Sequence, residues 1–376
     1  MSERWIADRM HRIDASGIRK VFDLAAKMKD PINLSIGQPH FDTPEVIKQA
    51  LFKAVNEGRN AYSQTQGIAP LREALQKQVQ EELGHADREV FICSGTSGGL
   101  MLALTALVNP GDEVIAFDPY FVMYKHLTTL AGGKTVFIDT YPDFRIDVDK
   151  VRAAITDRTK VILFNSPSNP TGVVATDEEM RAIAELAREK DIALISDEIY
   201  HGLNYDAPVA TAAAFSPHAV VVNSFSKYFS MTGWRIGWLV LPEDLVRPVE
   251  CLAQNMFISA PYISQVVAEA AFNCHPELLD NIARYRRSRD HLLRALPEAG
   301  FSNLSPAEGA FYLFADITER SNDSVAFCAR MLAEVGIAVT PGVDFDRTRG
   351  NRFLRFSYCG PEADMIAAAE RLKSWR

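Results

Sequence analysis

Between residues 88 and 241, short apolar runs alternate with longer segments of helical periodicity. Apolar runs bounded by polar turns are typical of buried strands, whereas the segment 177–190 repeats its apolar residues at the helical period. This alternation predicts an α/β fold with a mostly parallel central sheet and helices on both faces. The candidate strands are EVFIC (89–93), EVIAF (113–117), KTVFID (134–139), KVILFN (160–165), IALIS (192–196), AVVVN (219–223) and RIGWLVL (235–241).

The pattern changes after residue 241. Two long helical patterns, near 243–257 and 276–297, lead to a mixture of strand-like and helical stretches and a closing helix. This mixture predicts a second, smaller α+β unit. The residues before 45 do not extend the alternating pattern and are expected to pack with that unit. The predicted division is an N-terminal segment (1–44), a large domain (45–275) and a small C-terminal domain (276–376).

The composition is that of an ordinary globular protein. Hydrophobic residues make up 47% of the 376 residues, charged residues make up 23%, and the formal net charge is −8. No basic patch of the kind that binds nucleic acid stands out. The five cysteines are widely spaced and form no C-x-x-C pair, so free thiols are expected. The first ten residues carry charges throughout, and no apolar run reaches the length of a membrane span, so we expect a cytoplasmic protein.

Polar residues gather where three neighbouring candidate strands end. NSPSNPTG (165–172) follows one strand, DEIY (197–200) the next, and SFSK (224–227) the one after that. Open parallel sheets bind ligands beyond the carboxyl ends of their strands. The three clusters therefore predict a single ligand site at one edge of the sheet.

Two long cations lie in the apolar and aromatic stretch NSFSKYFSMTGWRIGWLV (223–240), namely Lys227 and Arg235. Such side chains are rarely buried without a partner. A lysine in an apolar run beside another cation is a candidate for a lowered pKa and for a nucleophilic amine that forms Schiff bases. The alternative is a lysine whose amine reaches water from a helix end. The neighbouring polar clusters favour the nucleophile.

Two further features each have an ordinary alternative. CSGTSGGL (93–100) leads from a strand into a helix, where free N–H groups favour an anion such as phosphate, although a plain strand–helix turn explains it as well. It does not match the dinucleotide fingerprint G-x-G-x-x-G, because Ser97 stands at the second glycine position. Asp197 either pairs with a cation or caps a helix.

Taken together and in order, the motifs resemble those of the class I/II, fold type I, aminotransferases, which use pyridoxal 5′-phosphate (PLP). The resemblance spans nearly the whole chain. Besides the stretches above, the motifs that carry it are YSQTQGIAPLREAL (62–75), NPGDEVIAFDPYF (109–121) and RFSY (355–358).

The resemblance implies roles around the cofactor ring. Lys227 would form the Schiff base with PLP and later move the substrate proton. Asp197 would pair with the protonated ring nitrogen, and Tyr200 and Asn169 would donate to the ring oxygen. Phe121 would stack on the ring, with an ordinary core or exposed phenylalanine as the alternative.

The resemblance also implies roles at the cofactor phosphate. Arg235 would bind the phosphate together with Ser224 and with Gly95, Thr96 and Ser97 of the glycine-rich turn. Lys227 and Arg235 are both expected in the interior, accompanied by the imine and the phosphate dianion. Tyr62 would reach the phosphate of a neighbouring subunit's cofactor, so a homodimer is expected.

For the substrate, the resemblance implies that Arg355 holds the α-carboxylate in a bidentate fork, with help from Asn169 and the backbone at Gly37. A surface ion pair is the alternative for Arg355. Ile18 would line the pocket for the substrate side chain, and Phe41 and Phe257 either lie near it or belong to the core. The turn carries Ser97 where some aspartate-preferring relatives carry a lysine, which argues against strict dicarboxylate specificity without excluding it, because other cations could serve. Alanine, aromatic, branched-chain and aspartate donors therefore all stay open.

The activity that the resemblance implies is transamination between an L-amino acid and a 2-oxo acid, with ping-pong kinetics through pyridoxamine phosphate. A Cβ–Sγ lyase or a related elimination enzyme on the same fold is the main alternative. A regulator with a DNA-binding helix-turn-helix domain is disfavoured, because aminotransferase-like sequence begins almost at once. A nicotinamide oxidoreductase is disfavoured by the missing dinucleotide fingerprint.

Overall fold

The computed structural model describes residues 3–14, 30–83, 87–206 and 208–375. Its strands are β1 (Ile32–Asn33), β2 (Glu89–Cys93), β3 (Glu113–Asp118), β4 (Lys134–Asp139), β5 (Thr159–Asn165), β6 (Ala193–Asp197), β7 (Val220–Ser224), β8 (Gly237–Leu241), β9 (Tyr312–Asp316), β10 (Ile337–Ala338), β11 (Thr340–Pro341) and β12 (Phe353–Ser357). Its α-helices are α1 (Glu45–Asn56), α2 (Ala69–Leu83), α3 (Gly95–Leu107), α4 (Met123–Leu130), α5 (Val148–Ala154), α6 (Asp177–Glu189), α7 (Glu243–Phe257), α8 (Tyr262–Ala271), α9 (His275–Glu298), α10 (Ser324–Val335) and α11 (Glu362–Lys373).

The predicted α/β sheet is confirmed as a seven-stranded sheet with the order β2-β8-β7-β6-β5-β3-β4. Strands β4, β3, β5, β6 and β7 run parallel, and β8 is antiparallel to both of its neighbours. The central strands are rich in valine, isoleucine and leucine, which suit strands that are covered on both faces. Helix α6 begins where the sequence predicts it, because Thr176 and Glu179 form a capping box at its start.

The three polar clusters follow three adjacent strands. Strand β6 lies between β5 and β7, and all three run in the same direction. Within this register Asn165, the last residue of β5, pairs with Asp197, the last residue of β6. The clusters therefore meet at one edge of the sheet, as the sequence predicts.

A smaller sheet holds the C-terminal strands in the antiparallel order β11-β12-β9. In this sheet Arg355 pairs with Phe314 of β9 on one side and with Thr340 of β11 on the other. Strand β1 pairs with β10, and the backbone N–H of Ser357 donates to the carbonyl of Leu34 over 2.7 Å. The N-terminal stretch after β1 therefore lies beside the small sheet.

Separate hydrophobic clusters support the two sheets. Three clusters include the strands of the large sheet. Another joins β9 and β12 to helices α9, α10 and α11, and it reaches Tyr200 and Tyr205 in the loop after β6. Four of the five free cysteines are buried, and Cys251 is exposed. Within the described residues, each helix is too short or too polar to cross a bilayer.

Candidate active site

A cavity of about 200 Å³ lies beyond the carboxyl ends of β5, β6 and β7. It brings together most of the site residues that the sequence predicts, from both the large sheet and the small one. Its lining consists of Gly37, Thr96, Ser97, Phe121, Tyr124, Asn165, Asn169, Asp197, Ile199, Tyr200, Ser226, Lys227, Thr232, Arg235, Tyr312 and Arg355.

Lys227 follows β7 and extends its amine into this cavity. Its Nζ donates a hydrogen bond of 2.6 Å to the backbone carbonyl of Gly37. Burial lowers the pKa of the Lys227 amine to about 8, and the charges of Arg355 and Arg235 act in the same direction. A lysine in this state has a much larger uncharged, nucleophilic fraction close to neutral pH than an ordinary lysine.

Asp197 ends β6 with only 2% of its surface exposed. Its Oδ2 accepts a hydrogen bond of 2.8 Å from the hydroxyl of Tyr124, and its Oδ1 accepts one of 3.2 Å from the backbone N–H of Ile199. Burial raises the pKa of this carboxyl to about 6, although these two hydrogen bonds oppose the rise. A buried carboxylate with neutral donors alone would be stabilised by a cation placed against it.

Arg355 lies on β12 and is 1% exposed. Its Nη1 donates to Oδ1 of Asn169 over 2.9 Å, and its Nη2 donates to the carbonyl of Ser35 over 2.5 Å. The Nε–H is buried without a hydrogen-bond partner, and no carboxylate of the described residues pairs with this guanidinium. The predicted alternative of a surface ion pair does not fit these surroundings.

Tyr200 stands between the two sheets. Its hydroxyl lies 2.9 Å from the hydroxyl of Tyr312 on β9. The Tyr312 ring in turn lies 4.3 Å below the guanidinium of Arg355. A Cβ on Gly37 would overlap the Tyr312 hydroxyl, so only glycine fits at that position. The N-terminal stretch, the small sheet and the loop after β6 therefore touch each other at this point.

The opposite end of the cavity is formed by the start of helix α3. Thr96 and Ser97 lie in its first turn, where backbone N–H groups lack helical partners. Gly95 has a left-handed backbone with φ of 68°, and a Cβ there would lie 2.7 Å from Nη2 of Arg235. Arg235 itself has φ of 53° and lies two residues before Gly237, the first residue of β8. A non-glycine residue in this region stores backbone strain, which is frequent at binding sites.

One expectation about these cations is wrong. The sequence predicts that Lys227 and Arg235 are both interior. In the single chain Lys227 is partly buried, as predicted, but Arg235 is exposed. Arg235 lies outside strand β8, after a short 3₁₀ turn, and its Nη1 donates to the carbonyl of Thr232 at the rim of the cavity. An arginine at a rim keeps its guanidinium hydrated until an anion arrives.

Several other predicted site residues do not line the cavity or cannot be placed in it. Ser224 is not in the lining, and its Oγ accepts a hydrogen bond from the backbone N–H of Ser226, which is. Tyr62 is 80% exposed and is not among the residues that line the cavity of its own chain. Ile18 lies outside the described residues. Phe41 and Phe257 pack against hydrophobic clusters and not against the cavity.

The chain is similar over almost its full length to known aminotransferases. The family model described as aminotransferase class I and II matches residues 29–372. The valine–pyruvate aminotransferase of Mycobacterium tuberculosis is 40% identical over 92% of this chain and 91% of its own length. The aspartate/prephenate aminotransferase of Thermus thermophilus is 37% identical, covering 94% and 92% of the two chains.

Solved structures agree with these matches. The crystal structure of an aminotransferase from Mycobacterium tuberculosis superimposes with a TM-score of 0.94 at 39% identity, over 98% of each chain. The aspartate aminotransferase of Thermus thermophilus with maleate superimposes with a TM-score of 0.91 at 34% identity, over 97% of this chain and 98% of its own. The chain belongs to the class I and II aminotransferase family. It is a transferase of nitrogenous groups that uses PLP.

The cavity of this aminotransferase fits its cofactor and substrate chemically. PLP carries a phosphate, a ring nitrogen that becomes cationic, a ring oxygen and an aldehyde. The first turn of α3 and Arg235 suit the phosphate, the buried Asp197 lacks a cation, and Lys227 offers an amine to the aldehyde. The unpartnered Nε–H of Arg355 leaves a donor for a substrate carboxylate.

Two residues of the aminotransferase site lie outside the sequence motifs, and a third, Ser226, lies inside SFSK (224–227) but is not singled out there. Tyr124 donates to Asp197 from the first turn of α4, three residues after Phe121. Tyr312 connects Tyr200 to Arg355, and Ser226 lines the cavity whereas Ser224 does not. The only sequence signal for Tyr124 is its spacing from the DPYF stretch (118–121). The only signal for Tyr312 is that it lies in the aromatic-rich strand GAFYLFADI (309–317).

Proposed function

We propose that this aminotransferase takes the amino group from L-amino acids with uncharged side chains and passes it to a 2-oxo acid. The observation that carries the proposal is Arg355, a buried guanidinium that meets no carboxylate of the described residues and keeps an unpartnered Nε–H. A buried cation is costly without an anion, and a planar guanidinium suits an α-carboxylate. Arg355 would therefore bind the carboxylate that amino acids and 2-oxo acids share.

The charges around the cavity support an uncharged substrate side chain. Its described lining carries one carboxylate, Asp197, and three cations, Lys227, Arg235 and Arg355. The amine of Lys227 is needed for chemistry, Arg235 for a phosphate and Arg355 for the α-carboxylate. No cation of the described lining is left to neutralise a second substrate carboxylate, and Ser97 stands at the start of α3. The Mycobacterium tuberculosis relative is named for valine and pyruvate, which fits this class.

Lys227 would be the catalytic base. The bound cofactor supplies an aldehyde that takes up the amino group and an electron-poor ring that stabilises negative charge at the substrate Cα. The unprotonated Nζ of Lys227 would take the proton from Cα in the first half-reaction. In the second half-reaction it would return a proton to Cα of the other substrate. A pKa near 8 keeps a useful fraction of this amine in each protonation state close to neutral pH.

The other lining residues would hold the reacting groups in place. Asp197 would keep the proton on the ring nitrogen, and Tyr200 and Asn169 would donate to the ring oxygen. Thr96 and Ser97 would offer N–H groups of the α3 terminus to the phosphate, which Arg235 neutralises. Phe121 would face the ring from the lining, and Tyr124 would orient Asp197 through the 2.8 Å hydrogen bond.

Domain closure and a shared dimer site complete the proposal. The proposed parts are an N-terminal segment (1–44), a large domain (45–275) and a small domain (276–376). Arg355 and Gly37 would move with the small part, so a bound carboxylate would draw it onto the cavity and exclude water. Tyr62 would reach the phosphate of a second copy's cofactor, which its exposure supports. Five free thiols without a disulfide suit the reducing cytoplasm.

The test is a set of single half-reactions with the cofactor-loaded protein. Alanine, valine, leucine, phenylalanine, aspartate and glutamate are each added without an acceptor, and the loss of the visible cofactor band is timed. We expect the uncharged amino acids to react faster than aspartate and glutamate, with one 2-oxo acid formed per site and no ammonia. Faster reaction with the acidic amino acids contradicts the proposed substrate class. L-Cystathionine, which carries a sulfur leaving group, is tested in parallel, and its cleavage to ammonia, pyruvate and a thiol indicates the lyase instead.

The role of Arg355 is tested by Arg355→Lys. Lysine keeps the charge but loses the bidentate geometry, so the KM for the amino acid should rise about tenfold or more. The matched control is Arg349→Lys, because Arg349 also holds a carboxylate with two nitrogens, that of Asp139, yet lies outside the cavity lining. An unchanged KM in Arg355→Lys would assign Arg355 to structure alone.

A further inference from the structure

Tyr312 contacts both Tyr200 and Arg355, which have separate roles in the proposed function. Its hydroxyl lies 2.9 Å from that of Tyr200, which would donate to the cofactor ring oxygen. Its ring lies 4.3 Å from the guanidinium of Arg355, which would hold the substrate carboxylate. Tyr312 is fully buried on β9, and Gly37 closes over its hydroxyl. The Tyr312 side chain is therefore packed on the side of its ring and on the side of its hydroxyl.

The guanidinium of Arg355 lies over the ring of Tyr312, and this geometry favours Tyr312 as the donor in the hydrogen bond between the two tyrosines. Burial raises the pKa of both phenols, and the charge of Arg355 opposes the rise at each of them. A positive charge against the Tyr312 ring makes its hydroxyl a better donor. When Tyr312 donates to Tyr200, the single hydrogen of Tyr200 is free to point towards the cofactor.

The positive charge of Arg355 favours donation from Tyr312 to Tyr200 only while no bound carboxylate neutralises that charge. A carboxylate on Arg355 cancels the positive field over the Tyr312 ring, so Tyr312 becomes a weaker acid and a weaker donor to Tyr200. Hydrogen bonds in a chain strengthen one another inside a protein. Tyr200 would then donate less strongly to the ring oxygen, which would hold the neighbouring imine proton more tightly.

We propose that Tyr312 is a positioning residue that fixes the hydroxyl of Tyr200 and makes its hydrogen bond depend on whether Arg355 holds a carboxylate. This inference rests on the proposed function of the site, and it adds a connection between the substrate end and the cofactor end. Binding of a substrate carboxylate would raise the pKa of the cofactor imine and so prepare it to accept the amino group.

The experiment titrates the visible band of the cofactor-loaded protein with pH, without ligand and with saturating 3-methylbutanoate, a monocarboxylate that has no amino group. In the wild type, the carboxylate should raise the pKa of the band. In Tyr312→Phe, the band without ligand should titrate about half a pH unit or more higher than in the wild type, and the rise on adding the carboxylate should be smaller.

Two comparisons separate this role from simple packing. The matched control is Tyr205→Phe, which removes another buried tyrosine hydroxyl, bonded to the carbonyl of Ala310 outside the cavity lining, and should leave the titration unchanged. In a Tyr200→Phe background, Tyr312→Phe should have no further effect on the pKa of the band, because its effect passes through Tyr200.

The inference is overturned if Tyr312→Phe titrates like the wild type, or if it alters only the affinity for 3-methylbutanoate. It is also overturned if its effect persists undiminished in the Tyr200→Phe background. These failures leave the proposed function intact. A wild-type protein with no titrating band would contradict the proposed role of Lys227 itself, and the inference would fail with it.

Discussion

Asp197 ends β6 with its carboxylate buried and bonded only to neutral donors, Tyr124 and the N–H of Ile199. Burial raises its folded pKa from the ordinary aspartate value of 3.8 to about 6. For a raised pKa, the stabilisation from the bound proton is complete below about pH 4 and is lost as the pH rises through 6. Asp197→Asn cannot ionise. We therefore expect it to stabilise the cofactor-free protein by about 3 kcal/mol at pH 8, and by less than about 1 kcal/mol at pH 4.

Urea unfolding of the cofactor-free protein at the two pH values measures this difference. Asp139→Asn is a control of opposite sign, because Arg349 lowers the pKa of Asp139 and a neutral residue there loses an ion pair. In the cofactor-loaded protein Asp197→Asn should instead lower kcat about a hundredfold or more, since the ring nitrogen loses its charged partner. Equal stability of Asp197→Asn and the wild type at pH 8 would mean that Asp197 is solvated or paired.

At the scale of single residues, the motifs predict the groups that stand at strand ends and little beyond them. Lys227, Asp197 and Asn169 all reach the cavity, because strand ends converge wherever a parallel sheet forms. Arg355 reaches it from the middle of β12 in the small antiparallel sheet, and only the resemblance of RFSY to the family motif predicts it. Tyr312 could not be predicted, because its position depends on how the small sheet docks on the loop after β6. The apolar surroundings of Arg235 and the phosphate contact that the resemblance implies both predict an interior position, and neither reveals the 3₁₀ turn that precedes it at the rim.

Helix α3 depends on Gly95 at its first position. The left-handed φ of 68° and the 2.7 Å approach of a Cβ to Nη2 of Arg235 both disfavour any other residue. Gly95→Ala should therefore move Arg235 away from the phosphate and turn the first N–H groups of α3 out of line. We expect the dissociation constant for PLP to rise about tenfold or more, while kcat at saturating PLP changes little. Equilibrium titration of the cofactor-free protein with PLP measures the effect.

The control for this change is Gly111→Ala. Gly111 also has a left-handed backbone, with φ of 92°, but a Cβ there meets no atom within 4 Å. Alanine at 111 therefore carries the backbone strain alone, about 1 kcal/mol, and should lower the stability without altering PLP affinity. If the two variants bind PLP equally well, the contact between position 95 and Arg235 has no part in holding the phosphate.

At the scale of elements, the strands and helices of the large sheet could be predicted closely because they are local patterns. The predicted strand 134–139 and helix 243–257 coincide with β4 and α7. Strands β1 and β10 have two residues each and exist only because they pair with one another across the chain. No periodicity marks so short a segment, so β1 could not be predicted as a strand.

At the scale of the whole molecule, Tyr62 does not contribute to the cavity of its own chain. It is 80% exposed, and the preceding helix α1 also exposes the apolar side chains of Phe52 and Val55. Isolated exposed apolar residues are common, but an aromatic residue in a family motif and outside its own cavity suits a contact between two copies. In the proposed homodimer, each site takes Tyr62 from one chain and Lys227 from the other.

Mixing two variants tests this shared site. Lys227→Ala inactivates its own site, whereas Tyr62→Ala leaves the site of the partner without its phosphate contact. A mixed dimer has one site with both changes and one site with neither. Equal amounts, unfolded and refolded together, should therefore recover about a quarter of the wild-type activity at limiting PLP, because half of the dimers are mixed. The two variants refolded separately and then combined without exchange are the control. If co-refolding yields no more activity than this control, Tyr62 does not act across a dimer.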